Sequence, residues 1–210
     1  MSTSKNIYIL DPGHGGINPA TGKYVTAGKK SPVWPDGSIF YEGVGNREIA
    51  ARTGALLKAA GIDFCYTVTP SDWQDVSLTE RCKRADLVQK KKPAVLISIH
   101  SNAGPNGDRK AHGFEVFTSP GQTGSDQIAS IFFNEMKTAF PELTGRPMMG
   151  DGDPDKEEKF TMICRPKCRA ILIESMFYTN QVECKMLMDP KVQDRIAQVI
   201  LKTIKKVELL

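Results

Sequence analysis

The chain has 210 residues, of which 40% are hydrophobic, and a formal net charge of +4. That length and apolar content suit one α/β domain spanning residues 1–210. With no run of 18 apolar residues it offers no membrane-spanning helix, and its lysine clusters (90–92; 202, 205 and 206) lack the interleaved aromatics of a nucleic-acid surface.

The five cysteines (65, 82, 164, 168 and 184) follow no disulfide framework and read as reduced thiols. Cys164 and Cys168 have a metal-pair spacing, but they flank Arg165-Pro166-Lys167, and better ligands exist elsewhere. The first six residues lead straight into an apolar run without the pattern of a secretory signal. The expectation is synthesis in the cytoplasm, or secretion where a signal has been removed.

Residues 7–11 predict the first strand, ended sharply by Pro12-Gly13-His14-Gly15-Gly16. Residues 17–41 are rich in Gly, Pro and Lys, with β-prone pieces at 23–26 and 38–41. A connection this long is often functional, and Trp34 within it is a candidate substrate platform, with plain packing as the alternative. Glu42 precedes a helix whose apolar positions are Ile49, Ala50, Thr53, Leu56, Leu57 and Ala60. Asn46 is its expected N-cap and Gly61 its stop. Residues 64–68 predict a strand, and Ser77-Leu78-Thr79-Glu80 is a capping box opening a helix to about Gln89.

Residues 95–99 form a second apolar run, carrying His100 and then Ser101-Asn102-Ala103. Asn102 can orient a ligand or bond its own turn. After an exposed loop at 104–110, a strand is expected at 113–118. His112 at its start is a candidate substrate contact, a third imidazole ligand or a surface residue. Ser125 is the expected cap of a helix with Ile128, Ile131, Phe132, Met136 and Ala139 inward. Residues 141–159 are irregular, and Asp151, Asp153 and Asp155 alternate there. They lack the twelve-residue calcium pattern with its closing Glu, so a solvated loop near the site is expected. Strands follow at 160–164 and 170–174, and Asp189-Pro190 opens the last helix.

Short apolar runs bounded by turn residues read as buried strands of a largely parallel sheet. The expected fold is a three-layer α/β arrangement of about six strands with helices on both faces. Ligands and catalytic groups gather beyond the carboxyl ends of such strands, which brings His14, His100 and Glu174 to one edge. Imidazoles and carboxylates converging there form a ligand set for catalytic Zn²⁺, and a further carboxylate can act as general base. The spacing itself points only to a metal hydrolase.

The motifs Leu10-Asp11-Pro12-Gly13-His14-Gly15-Gly16, Glu42 ahead of a helix, Ser98-Ile99-His100-Ser101-Asn102-Ala103, Gly113-Phe114-Glu115-Val116 and Leu172-Ile173-Glu174-Ser175-Met176-Phe177-Tyr178-Thr179-Asn180 occur in this order. Together the chain resembles the zinc-dependent N-acetylmuramoyl-L-alanine amidases of the amidase-3 family. One departure is Ala85-Asp86, where the family pattern ends in Ala-Asn. The resemblance implies Zn²⁺ held by His14, Glu42 and His100, with Glu174 as general base. It selects Glu42 over Glu48, which reads as a first-turn residue favoured by the helix dipole. The implied substrate is peptidoglycan, cut between N-acetylmuramic acid and L-alanine, by an enzyme released on lysis or secreted to the wall. The alternatives are a zinc peptidase or amidase acting on another substrate, and a non-catalytic wall-binding protein of the same fold.

Overall fold

Strands in this chain alternate their side chains between two covered faces, and that alternation builds the layers. In the computed structural model, which describes residues 4–150 and 152–210, the elements are as follows. β1 (Ile7–Pro12) leads to a small hairpin of β2 (Ile17–Asn18) and β3 (Lys23–Tyr24), and then to α1 (Glu42–Ala59). β4 (Phe64–Tyr66), α2 (Leu78–Gln89), β5 (Ala94–Asn102) and β6 (Glu115–Thr118) follow. The rest is α3 (Asp126–Ala139), β7 (Lys156–Glu157), α4 (Thr161–Cys164), β8 (Arg169–Phe177), α5 (Gln181–Met188) and α6 (Pro190–Val207).

The main sheet has six strands in the order β4-β1-β5-β8-β6-β7. All neighbours run parallel except β6 and β8, which are antiparallel. Side chains of successive strand residues point to opposite faces. Tyr8, Leu10, Ile97, Ile99, Ile171 and Ile173 therefore pack on one side with Ile49, Phe132, Ile196 and Ile200 from α1, α3 and α6. Ile9, Leu96, Ala170 and Leu172 face the other way, against Cys82 and Ala85 of α2 and Met162 and Ile163 of α4. Both faces are covered, which is why the strands are apolar throughout rather than alternating.

Two expected caps are present. Ser77 Oγ accepts from the Glu80 N–H at 3.3 Å, and the Asp189 carboxylate accepts from the Lys191 N–H at the start of α6, with Pro190 in the first turn. Elsewhere the structure differs. α1 begins at Glu42, with Tyr41 as N-cap; Asn46 lies inside the helix and donates to the Gly13 carbonyl at 3.3 Å. Ser125 makes no side-chain cap, because its hydroxyl accepts from the Ala170 N–H at 3.0 Å.

Residues 160–164, expected as a strand, form α4 instead, where the Phe160 carbonyl accepts from the N–H groups of Ile163 and Cys164. The sheet position beside β6 is taken by β7, from the stretch expected to be irregular. Asp155, expected in a solvated loop, is 2% exposed and accepts a hydrogen bond from the Thr118 hydroxyl. Asp151 and residues 1–3, where the reading of the chain's start falls, lie outside the described residues. All five cysteines are free thiols.

Candidate metal centre

The site grows out of the carboxyl end of β1. Asp11 is buried and its carboxylate is enclosed by Arg81 Nη1 at 2.9 Å, Ser98 Oγ at 2.7 Å and the Thr67 hydroxyl. Burial alone raises the pKa of such a carboxyl, but the Arg81 guanidinium and the two hydroxyls outweigh it and hold Asp11 below the usual range. Arg81 is 1% exposed and also donates to the carbonyls of Pro12 (2.6 Å) and His14 (2.9 Å). Arg47 Nη1 donates to the same His14 carbonyl at 2.8 Å. These two guanidiniums hold His14 at φ 66°, a left-handed conformation costly for a residue with a side chain.

The next residue back cannot carry a side chain. A Cβ on Gly13 would lie 2.1 Å from Cε1 of His100, so the imidazole rests directly on the glycine backbone. His100 comes from the end of β5, and its ring stands 4.9 Å from that of His14, nearly perpendicular at 89°. Between them, at the first residue of α1, Glu42 is 1% exposed. Its Oε1 lies 2.9 Å from His100 Nδ1 and 3.2 Å from His14 Nε2. One ligand atom from each of the three residues lies within 4.8 Å of the other two.

Burial would raise the Glu42 carboxyl, yet the imidazoles of His100 and His14 prevail and hold it low. Burial works against the imidazolium of His100, but the Glu42 carboxylate reverses the balance and raises its pKa. His14 Nε2, Glu42 Oε2 and Glu174 Oε2 are among the buried side-chain atoms that have no hydrogen-bond partner among the described residues, His14 Nε2 approaching only Glu42 Oε1, at 3.2 Å. Buried polar atoms are nearly always partnered. Two of these orphans belong to the three-residue set, which is the state expected of ligands whose partner is a cation, so the donor set fits a metal.

Glu174 stands on β8 in register with His100 on β5. Burial pushes its carboxyl up to about 8, with the charge of His100 opposing and that of Glu42 adding. On its other side β6 places Glu115 opposite it. Glu115 is buried and tied by Arg146 Nε at 2.6 Å, Lys156 Nζ at 2.7 Å and Asn102 Nδ2 at 2.8 Å. His14, His100 and Glu174 open together onto a cleft of about 410 Å³, shared with Lys29, Leu78, Lys159 and Phe160.

Of the residues expected at the site, the structure brings together His14, Glu42, His100 and Glu174. Asn102 is engaged by Glu115 and by its own turn, where its Oδ1 accepts from the Ala103 N–H. His112 is exposed, its Nδ1 2.8 Å from the Lys110 carbonyl, and does not line the cleft. Trp34 is no platform: it is 4% exposed in the larger core cluster, and its indole N–H donates to Cys184 Sγ at 3.1 Å. Glu48 faces away from the set, with its carboxylate 2.5 Å from Gln193 Nε2. Arg47 and Arg81 escaped sequence reasoning, because isolated charged residues read as surface and their partners lie far off in the chain; Glu115 figured only as part of a motif, with no role assigned.

The family profile described as N-acetylmuramoyl-L-alanine amidase (Amidase_3) matches residues 9–206. No curated protein sequence matches the chain. Among solved structures it is similar to the amidase of Clostridium difficile 630, at 27% identity and TM-score 0.76, covering 98% of this chain and 97% of that one. N-acetylmuramoyl-L-alanine amidase AmiC2 of Nostoc punctiforme shares the fold at TM-score 0.78 and 21% identity, over 100% of both chains. So does Ami1 of Mycobacterium smegmatis, at TM-score 0.76 and 21% identity over 99% of both.

Proposed function

Since the chain belongs to the Amidase_3 family of N-acetylmuramoyl-L-alanine amidases, we propose that His14, Glu42 and His100 hold a catalytic Zn²⁺ and that Glu174 is the general base. The reaction is hydrolysis of the amide between the lactyl group of N-acetylmuramic acid and L-alanine in peptidoglycan. The observation that carries the assignment is the orphaned pair of ligand atoms, on His14 and Glu42, with the Glu174 carboxyl lining the same cleft as His14 and His100. Two imidazoles and one carboxylate are a common protein set for catalytic zinc. When bound, the ion acidifies water and polarises the scissile carbonyl.

The chain's own groups do the rest. Glu42, held ionised by the imidazoles, presents a carboxylate at neutral pH. Arg47 and Arg81 fix the His14 backbone, and Gly13 lets the His100 ring approach the same point. Glu174 is kept protonatable by burial, and a bound divalent cation would favour its carboxylate form. From there it takes the proton of the attacking water and returns it to the leaving amine of L-alanine. Glu115 cannot share that task, because Arg146 and Lys156 keep it paired.

The site of action is the cell wall, reached on lysis or by secretion. No helix among the described residues is long and apolar enough to cross a membrane. Mass spectrometry of purified sacculi digested with and without added zinc tests the whole reading. New L-alanine amines without new sugar ends, appearing only in the metal-replete digest, are expected. Cleavage elsewhere in the stem peptide would replace the proposed bond with another.

A further inference from the structure

The cleft over the metal set carries two cations that the proposed chemistry does not use. Lys29 and Lys159 both line it, with Leu78 and Phe160 as exposed apolar walls. Neither ammonium has an ion-pair partner within 4.0 Å among the described residues, whereas Lys156 nearby is neutralised by Glu115. Their backbones are nevertheless fixed. The Lys29 carbonyl accepts from the N–H of Glu42 at 3.0 Å, which ties it to a proposed ligand. Lys159 lies between Glu158, whose N–H donates to the Thr118 carbonyl at 3.0 Å, and Phe160, whose ring is 5.3 Å from that of Phe117.

Two unpaired cations on fixed backbone at the mouth of one cleft are arranged for an anion of the substrate. We propose that Lys29 and Lys159 are specificity-determining residues that bind a free carboxylate on the leaving stem peptide, on the second residue beyond the scissile amide.

The direction along the substrate follows from the proton transfer, and so rests on the function proposed above. The leaving amine must reach Glu174 to be protonated, so the peptide that departs with it begins on the Glu174 side. Lys29 and Lys159 line the same cleft as Glu174. In a stem peptide whose second residue is linked through its γ-carboxyl, the α-carboxylate is left free next to L-alanine. The alanine methyl and the lactyl methyl then have Leu78 and Phe160 to lie against. A wall whose second residue is α-amidated presents a neutral group to the same lysines and loses the charge-assisted contact.

The test compares two soluble muropeptides, identical except that the second residue carries a free α-carboxylate in one and an α-amide in the other. The zinc-replete enzyme should favour the carboxylate by about tenfold or more in kcat/KM, as expected for a hydrogen bond to a charged group. Most of that ratio should lie in KM. In the Lys29→Met/Lys159→Met double variant the preference should disappear, with the carboxylate compound falling to the rate of the amide compound and the amide rate held. Lys29→Arg/Lys159→Arg should keep it. Calorimetric binding of both compounds to the metal-free protein should show the same order, since no turnover enters that measurement. Equal rates on the two compounds, or a preference that survives the double methionine variant, would overturn the inference and leave the amidase reading standing. Cleavage of neither compound by the metal-replete protein would remove both.

Discussion

Glu42 and Glu48 stand on the same helix but face different partners, and the contrast fixes what their loss should do. Glu42 sets Oε1 between two imidazoles and leaves Oε2 without a partner, while Glu48 is engaged by Gln193. Glu42→Ala should abolish metal binding as measured by metal analysis of the purified protein, and Glu48→Ala should leave it unchanged; the reverse pattern would move the third ligand to Glu48. Glu174→Gln keeps size and polarity but cannot take up the proton. Metal content should stay at the wild-type level while turnover falls on the order of 10²- to 10⁴-fold. A metal-depleted Gln variant would make Glu174 a ligand instead. A third residue-scale expectation concerns Asp155, whose carboxyl is raised to about 7 by burial first and then by Asp153 beside it. An acid with a raised folded-state pKa binds more protons folded than unfolded, so its contribution to stability declines as pH rises from the unfolded value near 4 to about 7. Asn at 155 can still accept from Thr118 and can donate to Asp153. Asp155→Asn should therefore match wild type below pH 4 and exceed it by about 1 to 3 kcal/mol at pH 8 in denaturant unfolding; a difference independent of pH would show that the pair does not titrate in this way.

At the scale of elements, the turn after β1 is where packing and chemistry meet. The missing Cβ of Gly13 is replaced by the His100 ring, which would otherwise lie 2.1 Å from it. Gly13→Ala should displace that ring, lowering metal affinity at least tenfold, with a stability loss of about 1 to 3 kcal/mol for overpacking and an unchanged far-UV spectrum. Unaltered metal affinity would mean that His100 does not need this seat. The same turn shows what the sequence makes legible. The runs at 7–11, 95–99 and 170–174 are readable because both faces of their strands are buried, so almost every residue is apolar, and a His or Glu that ends such a run stands out. Neither guanidinium that holds the turn stands out, because Arg81 and Arg47 act on backbone carbonyls that no side-chain pattern records. The start of α1 lies before Asn46, whose side chain serves the Gly13 carbonyl, whereas Ser125 does sit at the N-cap of α3 but gives its hydroxyl to the Ala170 N–H. β7 has two residues, too few for a period, and α4 has four, in a stretch whose β-prone side chains give no helical signal. α5 was missed although Asn180 caps it by accepting from the N–H groups of Val182 and Glu183, because its eight residues run directly into Asp189 and α6.

Across the whole molecule, the three proposed ligands join the turn after β1, the start of α1 and the end of β5. The sheet does not depend on that junction. Its strands are packed on both faces by the two hydrophobic clusters. Metal should therefore add to a stability that already exists, unlike a small zinc domain in which the ion supplies the folding energy. A ligand that binds only the folded state at a hundred times its dissociation constant adds about 2.7 kcal/mol. For a chain of this size each kcal/mol moves the melting temperature by roughly 2 to 4 °C, so free zinc at that level should raise it by about 5 to 10 °C over the chelated protein. Adding a reductant should leave both values unchanged, because all five thiols are free. Scanning calorimetry with chelator, with zinc, and with zinc plus reductant reads all three terms in one protein. Unfolding at room temperature in chelator would make the metal structural, and the absence of any zinc-dependent shift would take the ion out of this site. A cooperative transition in chelator that moves upward with zinc concentration is the result that leaves the sheet as scaffold and the three ligands as a site mounted on its edge.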